Sequence, residues 1–269
     1  CSSLQSITIP TSVTSIGPNA FCQCSNLQSI AISASVTSIG KSTFSRCFQL
    51  TAINVDSDNL HYSSIDGILF TKNFETLLCF PANHQFSAYT IPTNVLSIGD
   101  QAFYYCSNLQ SITIPTNVTS IGDSAFSYCS NLTAINADCG NLHFSSINGI
   151  LFTKNLEMLL CFPVKHRFSA YTVPASVTSI HNSAFSSCSN LQSIIIPASV
   201  TSIGNYAFTS CSRLQSITIP ESVTLIGQDI FSRCDNLNSI AMPAIFQDLF
   251  QFEFINSTKF IDISIYSNK

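Results

Sequence analysis

The chain has 269 residues, of which 45% are apolar and only 9% are charged, with a formal net charge of −4. That composition can fill a continuous core but leaves a surface covered mainly by Ser, Thr, Asn and Gln. Ten scattered Lys and Arg residues with a net negative balance argue against nucleic acid as a partner.

No stretch approaches 18 consecutive apolar residues, so no membrane-spanning helix is expected within this segment. Cys1 falls in the middle of a repeating unit, and no basic or apolar leader pattern precedes it. The chain therefore reads as part of a longer protein, with no cap visible at its start.

Cys1, Cys24 and Cys47 are spaced by 23 residues, as are Cys106 and Cys129, and Cys188, Cys211 and Cys234. A longer period of 82 relates segment 47–128 to 129–210, down to Cys79 with Cys161 and His61 with His143. Within a unit, Leu4, Ile7 and Ile9 alternate with Ser6 and Thr8, the pattern of a strand. Pro10 ends it, since proline has no N–H to give a ladder. Val13 and Ile16 predict a second extended piece, and Ala20-Phe21 leads into a 3₁₀ or single helical turn before Cys24. Such a unit cannot bury its apolar side alone, so neighbours must stack on it.

About ten such strands are expected, beginning near Leu4, Leu27, Leu50, Phe86, Leu109, Leu132, Phe168, Leu191, Leu214 and Leu237. Two units are enlarged, by Ser64–Pro81 and Ser146–Pro163. In the first, Gly67–Thr71, Lys72–Glu75 and Thr76–Phe80 read as strand, turn and strand, a hairpin expected to project from the array. Residues 1–242 form one domain in this reading. The pattern breaks over 243–269, where Ala244–Phe252 reads as a short amphipathic helix and Phe260–Tyr266 as a strand, together a C-terminal cap or tail.

The unit L-Q-S-I-T-I-P-x-S-V-T-S-I-G-x-x-A-F-x-x-C resembles the BspA-like leucine-rich repeat, as does the interruption S-I-D-G-I-L-F-T-K-N-F-E-T-L-L-C-F-P. The resemblance runs from Cys1 to about Pro243. It implies an α/β, β-dominant leucine-rich-repeat solenoid: a parallel sheet of about ten stacked coils with short 3₁₀ or helical turns and two inserted hairpins. It also implies a surface protein that adheres to protein or glycan on a host cell or matrix, and it brings no catalytic residue.

Twelve cysteines allow three readings. A zinc site needs paired ligands, and Cys22 with Cys24 is the one close pair. Disulfides suit an extracellular setting, but in-register neighbours in a stack hold Cβ atoms about 5 Å apart, longer than the ~3.8 Å a disulfide prefers. A ladder of buried thiols is the expected arrangement, with Cys22 and Cys139 off it. Cys79 and Cys161 lie on the hairpin strands.

His61, His84, His143 and His166 form two copies of one pair, which could serve a metal or acid–base role. Loop-lying surface histidines are the simpler expectation, because duplication alone explains the copies. Gly occurs singly and makes no phosphate loop. No cofactor or metal is expected.

The recurring surface feature is the outward strand face. It comprises the column Gln5, Gln28, Gln110, Gln192 and Gln215, an adjoining column of serines, and a third column that includes Thr8, Thr113 and Thr218. This neutral face is the candidate binding surface, although columns of this kind can also simply solvate a sheet. Asn117, Asn131 and Asn256 sit in N-x-S/T sequons and are candidate glycosylation sites. The expected role is a non-catalytic recognition module at the cell surface or outside the cell. The alternative is a cytoplasmic structural scaffold.

Overall fold

The computed structural model describes residues 1–246 and 262–266. The chain forms two compact units, one of Cys1–Leu132 with Asn136–His143 and one of Thr133–Ile135 with Phe144–Lys269. Each is a stack of coils. No helix among the described residues is long and apolar enough to cross a membrane.

The strands predicted from alternation form parallel ladders in which residues pair with those 23 later, interrupted where an enlarged unit intervenes. In the first unit Ser6–Thr8 pairs with Ser29–Ile32, which pairs with Ala52–Val55. Ile30 and Ile32 point into the core at 1% exposure, while Ala31 between them is half-buried. In the second unit Ala170–Thr172, Ser193–Ile195, Ser216–Thr218 and Ser239–Pro243 follow one another. The register of 23 then continues into Asp262–Tyr266, with Ser239 opposite Asp262. The sequence departs from the repeat after 243, yet the backbone keeps its period there. Of the expected helix Ala244–Phe252, the described part is a 3₁₀ helix at Ala244–Phe246; the remainder lies outside the described residues.

The second extended piece is a two-residue ladder on another side of the coil, such as Ser15–Ile16 with Ser38–Ile39. The expected helical turn is an alternation. Ala20, Cys22 and Cys24 donate N–H bonds three residues back, to Gly17, Asn19 and Phe21. Asn19, Phe21 and Gln23 donate instead to Lys41, Thr43 and Ser45 of the next coil. Left-handed residues at Asn19 (φ 59°) and Gln23 (φ 62°) turn alternate N–H groups outward and keep a helix from propagating.

The enlarged units differ from expectation in one respect. The predicted strand, turn and strand are present at Ile68–Thr71 and Thr76–Cys79, but they do not project. A third strand, Tyr62–Ile65, pairs antiparallel with Ile68–Thr71 across the turn Asp66-Gly67. Both turn residues have positive φ, 53° and 78°, as a type I′ hairpin requires. A Cβ on Gly67 would come within 2.7 Å of Ala52 Cβ. On the other side Thr76 and Leu77 join the short ladder, parallel to Ser97 and Ile98. Ile68, Leu69, Phe70 and Leu77 are buried. With three consecutive apolar side chains, Ile68-Leu69-Phe70 has two hydrophobic faces, so the hairpin is drawn into the stack. Asn148-Gly149 repeats the turn in the second unit.

Phenylalanines stack along each unit. Phe80, Phe103 and Phe126 have ring centroids 5.2 and 5.5 Å apart. Phe162, Phe185, Phe208 and Phe231 follow at 5.2, 5.1 and 5.9 Å. In the enlarged coils Phe80 and Phe162 take the place of the A-F phenylalanine, donating N–H bonds of 2.7 Å to Ala102 and Ala184.

All twelve cysteines are thiols. Cys24, Cys47, Cys106, Cys129, Cys188, Cys211 and Cys234 are buried. Most of these donate to a phenylalanine carbonyl 26 residues back, as Cys47 does to Phe21 (3.0 Å), Cys129 to Phe103 (2.9 Å) and Cys211 to Phe185 (3.0 Å). Burial pushes the Cys47 and Cys79 thiols up to about 12. Thiolates are the reactive form, so Cys1 and Cys139, which are exposed, should be alkylated first in the native protein, and the buried seven only on unfolding. Peptide mapping after timed iodoacetamide treatment reads this; equal early labelling of Cys106 would refute it.

Candidate functional site

Strand alternation sets the predicted face outward. Gln5, Gln28, Gln110, Gln192 and Gln215 are exposed, as are Thr8 and Thr218, while Thr113 is half-buried. In the first unit the Gln28 backbone N–H donates to Gln5 O at 2.7 Å, and Thr8 stands opposite Ala31, itself opposite Asn54. In the second, Gln215 N–H donates to Gln192 O at 3.2 Å, and the third column carries Ile195, 63% exposed, beside Thr218. In each unit the face is mostly amides and hydroxyls, interrupted by Ala31 in the first and Ile195 in the second.

The sequon residues Asn117 and Asn131 are exposed. Their Nδ2 atoms, where a glycan attaches, donate to Thr93 O (2.6 Å) and Ser107 O (2.7 Å) of the preceding coil. A sugar would leave one N–H for that bond. Asn256 lies outside the described residues.

The histidines correct the expectation of a surface location. His61 and His143 are exposed, but His84 and His166 are buried at 4% and 2% exposure. His84 Nε2 lies 2.7 Å from Asp66 O, and His166 Nε2 lies 2.8 Å from Asn148 O, the first residue of each hairpin turn. The N–H groups of Phe86 and Phe168 donate to the Nδ1 atoms. The neutral rings therefore carry their proton on Nε2 and tie the hairpins to the stack. Two aromatic neighbours flank each ring, Phe80 and Phe86 in one case and Phe162 and Phe168 in the other.

Burial pushes the His166 pKa down; Arg167 acts in the same direction and the bond to Asn148 opposes. The unfolded chain, at the ordinary value of about 6.5, binds the proton more readily. Stability is thus fully present above that value and declines as pH falls below it, by at most about 1.4 kcal/mol per pH unit for this group. Urea unfolding at pH 8 and pH 5.5 measures the decline. His166→Gln should flatten it, and an unchanged slope would remove the latch from the account.

A second locale was not read from the sequence. In the two positions after the core phenylalanine, where other coils carry Ser, Thr, Cys, Gln or Arg, the first unit carries Tyr104, Tyr105 and Tyr128. Tyr105 and Tyr128 stack at 4.7 Å with 15° between planes. Tyr104 meets both edge-on, at 4.7 and 5.3 Å. Phe48, 43% exposed, meets Tyr105 edge-on at 5.0 Å. The Arg46 guanidinium lies beside Tyr105 and Tyr104, and this setting, Tyr105 first, raises its pKa. Burial pushes Tyr104 up to about 12. The available signal was Y-Y-C in place of S-S-C or T-S-C.

Tyr104 also walls a cleft of about 250 Å³ whose floor is Phe44, Leu69, Leu78 and Phe80. The inserted hairpin opens it, because the turns 40–47 and 99–106 face each other across Phe80. Side chains bridge them: Lys41 Nζ pairs with Asp100 at 3.2 Å, and Ser42 donates to Gln101 at 3.0 Å. Among the described residues, no three His, Cys, Asp or Glu side chains gather into a metal-sized group.

The model of the BspA type leucine rich repeat region matches residues 1–77, 78–160 and 160–269, with six copies. Among solved structures, the chain is similar to a leucine-rich repeat protein from Eubacterium ventriosum (27% identity, TM-score 0.65, covering 89% of this chain and 60% of that one). It is also similar to a leucine rich cell surface protein from Faecalibacterium prausnitzii (26%, 0.55, covering 99% and 80%) and to the pneumococcal vaccine antigen PcpA (20%, 0.52, covering 98% and 69%). The chain thus spans about three fifths of the Eubacterium protein. No curated protein matches it.

Proposed function

The chain belongs to the BspA-type leucine-rich repeat family, and from that premise we propose that it is a non-catalytic recognition module at a cell surface, binding protein or glycan on a host cell or matrix. The observation that carries this is the open strand face, with Gln5 and Gln28 in one unit and Gln192 and Gln215 in the other exposed and in parallel register. An array of neutral donors and acceptors at a fixed spacing suits a large partner held by many modest contacts rather than a small molecule, which needs concavity. The likeness to a cell surface protein of Faecalibacterium prausnitzii supports the location.

Treatment of intact source cells with a membrane-impermeant amine reagent tests the location. Labelling before lysis is the expected result. Labelling that appears only after lysis would remove the surface role and leave the internal scaffold. A glycan found by mass spectrometry on Asn117 or Asn131 would independently exclude the cytoplasm.

A further inference from the structure

We propose that the ridge of Arg46, Phe48, Tyr104, Tyr105 and Tyr128, with the cleft beside it, anchors a protein segment that sets a carboxylate side chain next to a large apolar one. This rests on the recognition role above and assigns it to one place.

The ridge is not needed to build the turn. At the position of Tyr105 and Tyr128 the second unit has Ser187 and Ser210, with the same left-handed backbone (φ 63° and 61°). Bulky side chains are disfavoured at such angles, which occur at φ 63° for Tyr105 and 61° for Tyr128. The other coils put Gln23, Arg46 and Arg233 or the two serines at this position, so the two tyrosines on consecutive coils are its only aromatic residues among the described coils. Tyrosine and arginine are the side chains that most often carry the energy of protein interfaces.

Arg46 supplies the charge requirement. Lys41 pairs with Asp100, so the carboxylate that lines the cleft is already engaged, and among the described residues Arg46 has no carboxylate within 4 Å. Its exposed fork lies beside Tyr104 and Tyr105 and keeps donors for a bidentate carboxylate. The cleft supplies the apolar requirement. Its volume of about 250 Å³ and its floor of Phe44, Leu78 and Phe80 suit one large side chain, and Tyr104 belongs to both cleft and ridge. Ring geometry favours protein over sugar. Tyr105 and Tyr128 each cover one face of the other, Tyr104 meets both edge-on and Phe48 meets Tyr105 edge-on. That removes the inner ring faces as platforms on which a pyranose could stack, and the Arg46 charge favours an acidic peptide.

The test pans a phage-displayed random dodecapeptide library on the full chain and measures synthetic copies of the enriched peptides by calorimetry. The enriched peptides should place Asp or Glu within two positions of Phe, Leu or Tyr. They should bind Arg46→Gln, and separately Tyr105→Ser with Tyr128→Ser, at least tenfold more weakly than the unaltered chain. The thermal midpoints of these variants should match it within a few degrees, because serine already occupies this position in two coils. Failure to enrich, enriched peptides without acid, or equal binding to all variants would overturn the assignment. So would oligosaccharides on a glycan array that bind the unaltered chain and are lost with the same variants. Peptides lost with Gln5→Ala and Gln28→Ala but not with the ridge variants would sink the ridge and keep the recognition role. Absence from the cell surface would sink that role whatever the peptides do.

Discussion

Phe208→Ala should destabilise the second unit by about 3–5 kcal/mol, toward the upper end for a phenylalanine truncation. Phe208 is fully buried between Phe185 and Phe231, with centroids at 5.1 and 5.9 Å. Each neighbour is fixed by its own coil: the Phe185 carbonyl accepts from Cys188 N–H and the Phe231 carbonyl from Cys234 N–H, both at 3.1 Å. The rings cannot slide along the stack to close the space, so the cavity persists and its cost is added to the lost transfer energy. The Phe208 carbonyl, which accepts from Cys234 Sγ at 3.1 Å, is retained. Urea unfolding followed by circular dichroism should show an earlier midpoint for this unit. A shift equivalent to less than about 1 kcal/mol would mean that the stack relaxes around the hole.

Asn59→Asp should cost about 3–4 kcal/mol at pH 7, although it exchanges one nitrogen for an oxygen. Asn59 is fully buried. Its Nδ2 donates to Ser33 O and Val36 O, both at 2.9 Å, and its Oδ1 accepts from the N–H groups of His61 and Tyr62, both at 2.8 Å. The two Nδ2 bonds reach the plain coil and the two Oδ1 bonds hold the start of the first hairpin strand, so the side chain links one to the other. An aspartate keeps the two acceptor bonds but faces the two carbonyls with a negative oxygen. Burial and those carbonyls would raise its folded pKa above the unfolded value of about 3.9. The penalty should therefore grow as pH rises through the folded value and shrink in acid, where the protonated oxygen can donate to one carbonyl. Asn141, which donates to Pro115 O and Val118 O at 2.7 and 3.0 Å, should behave in the same way. A pH-independent loss would place the effect outside this hydrogen-bond set.

The parts of the fold that were legible depend on a coil's own residues. Alternation at Leu27, Ile30 and Ile32, the phenylalanine before each ladder cysteine, and the 23-residue spacing all record which side chains face inward, and the structure places them there. What was not legible depends on a partner distant in sequence. Thr76-Leu77-Leu78-Cys79 reads as a strand but does not say that Ser97 and Ile98 will claim its edge. Asn59 and His84 have loop composition, and their burial follows from carbonyls at Ser33, Val36 and Asp66 that nothing local identifies. The outward glutamines were placed correctly by period alone. Tyr104 and Tyr105 were passed over because the repeat directs attention to what recurs, whereas a binding ridge is set by the coils that depart from it.

The claim beneath both architecture and function is that no coil holds its shape without the next. Hydrogen exchange with mass spectrometry on full-length Phe208→Ala tests it most directly. Protection should fall not only across Tyr206–Cys211 but also at Phe185 and Ser187, whose N–H groups bond to Ala207 O and Thr209 O. Exchange that quickens within 206–211 alone, with Phe185 and Ser187 as slow as in the unaltered chain, would contradict it.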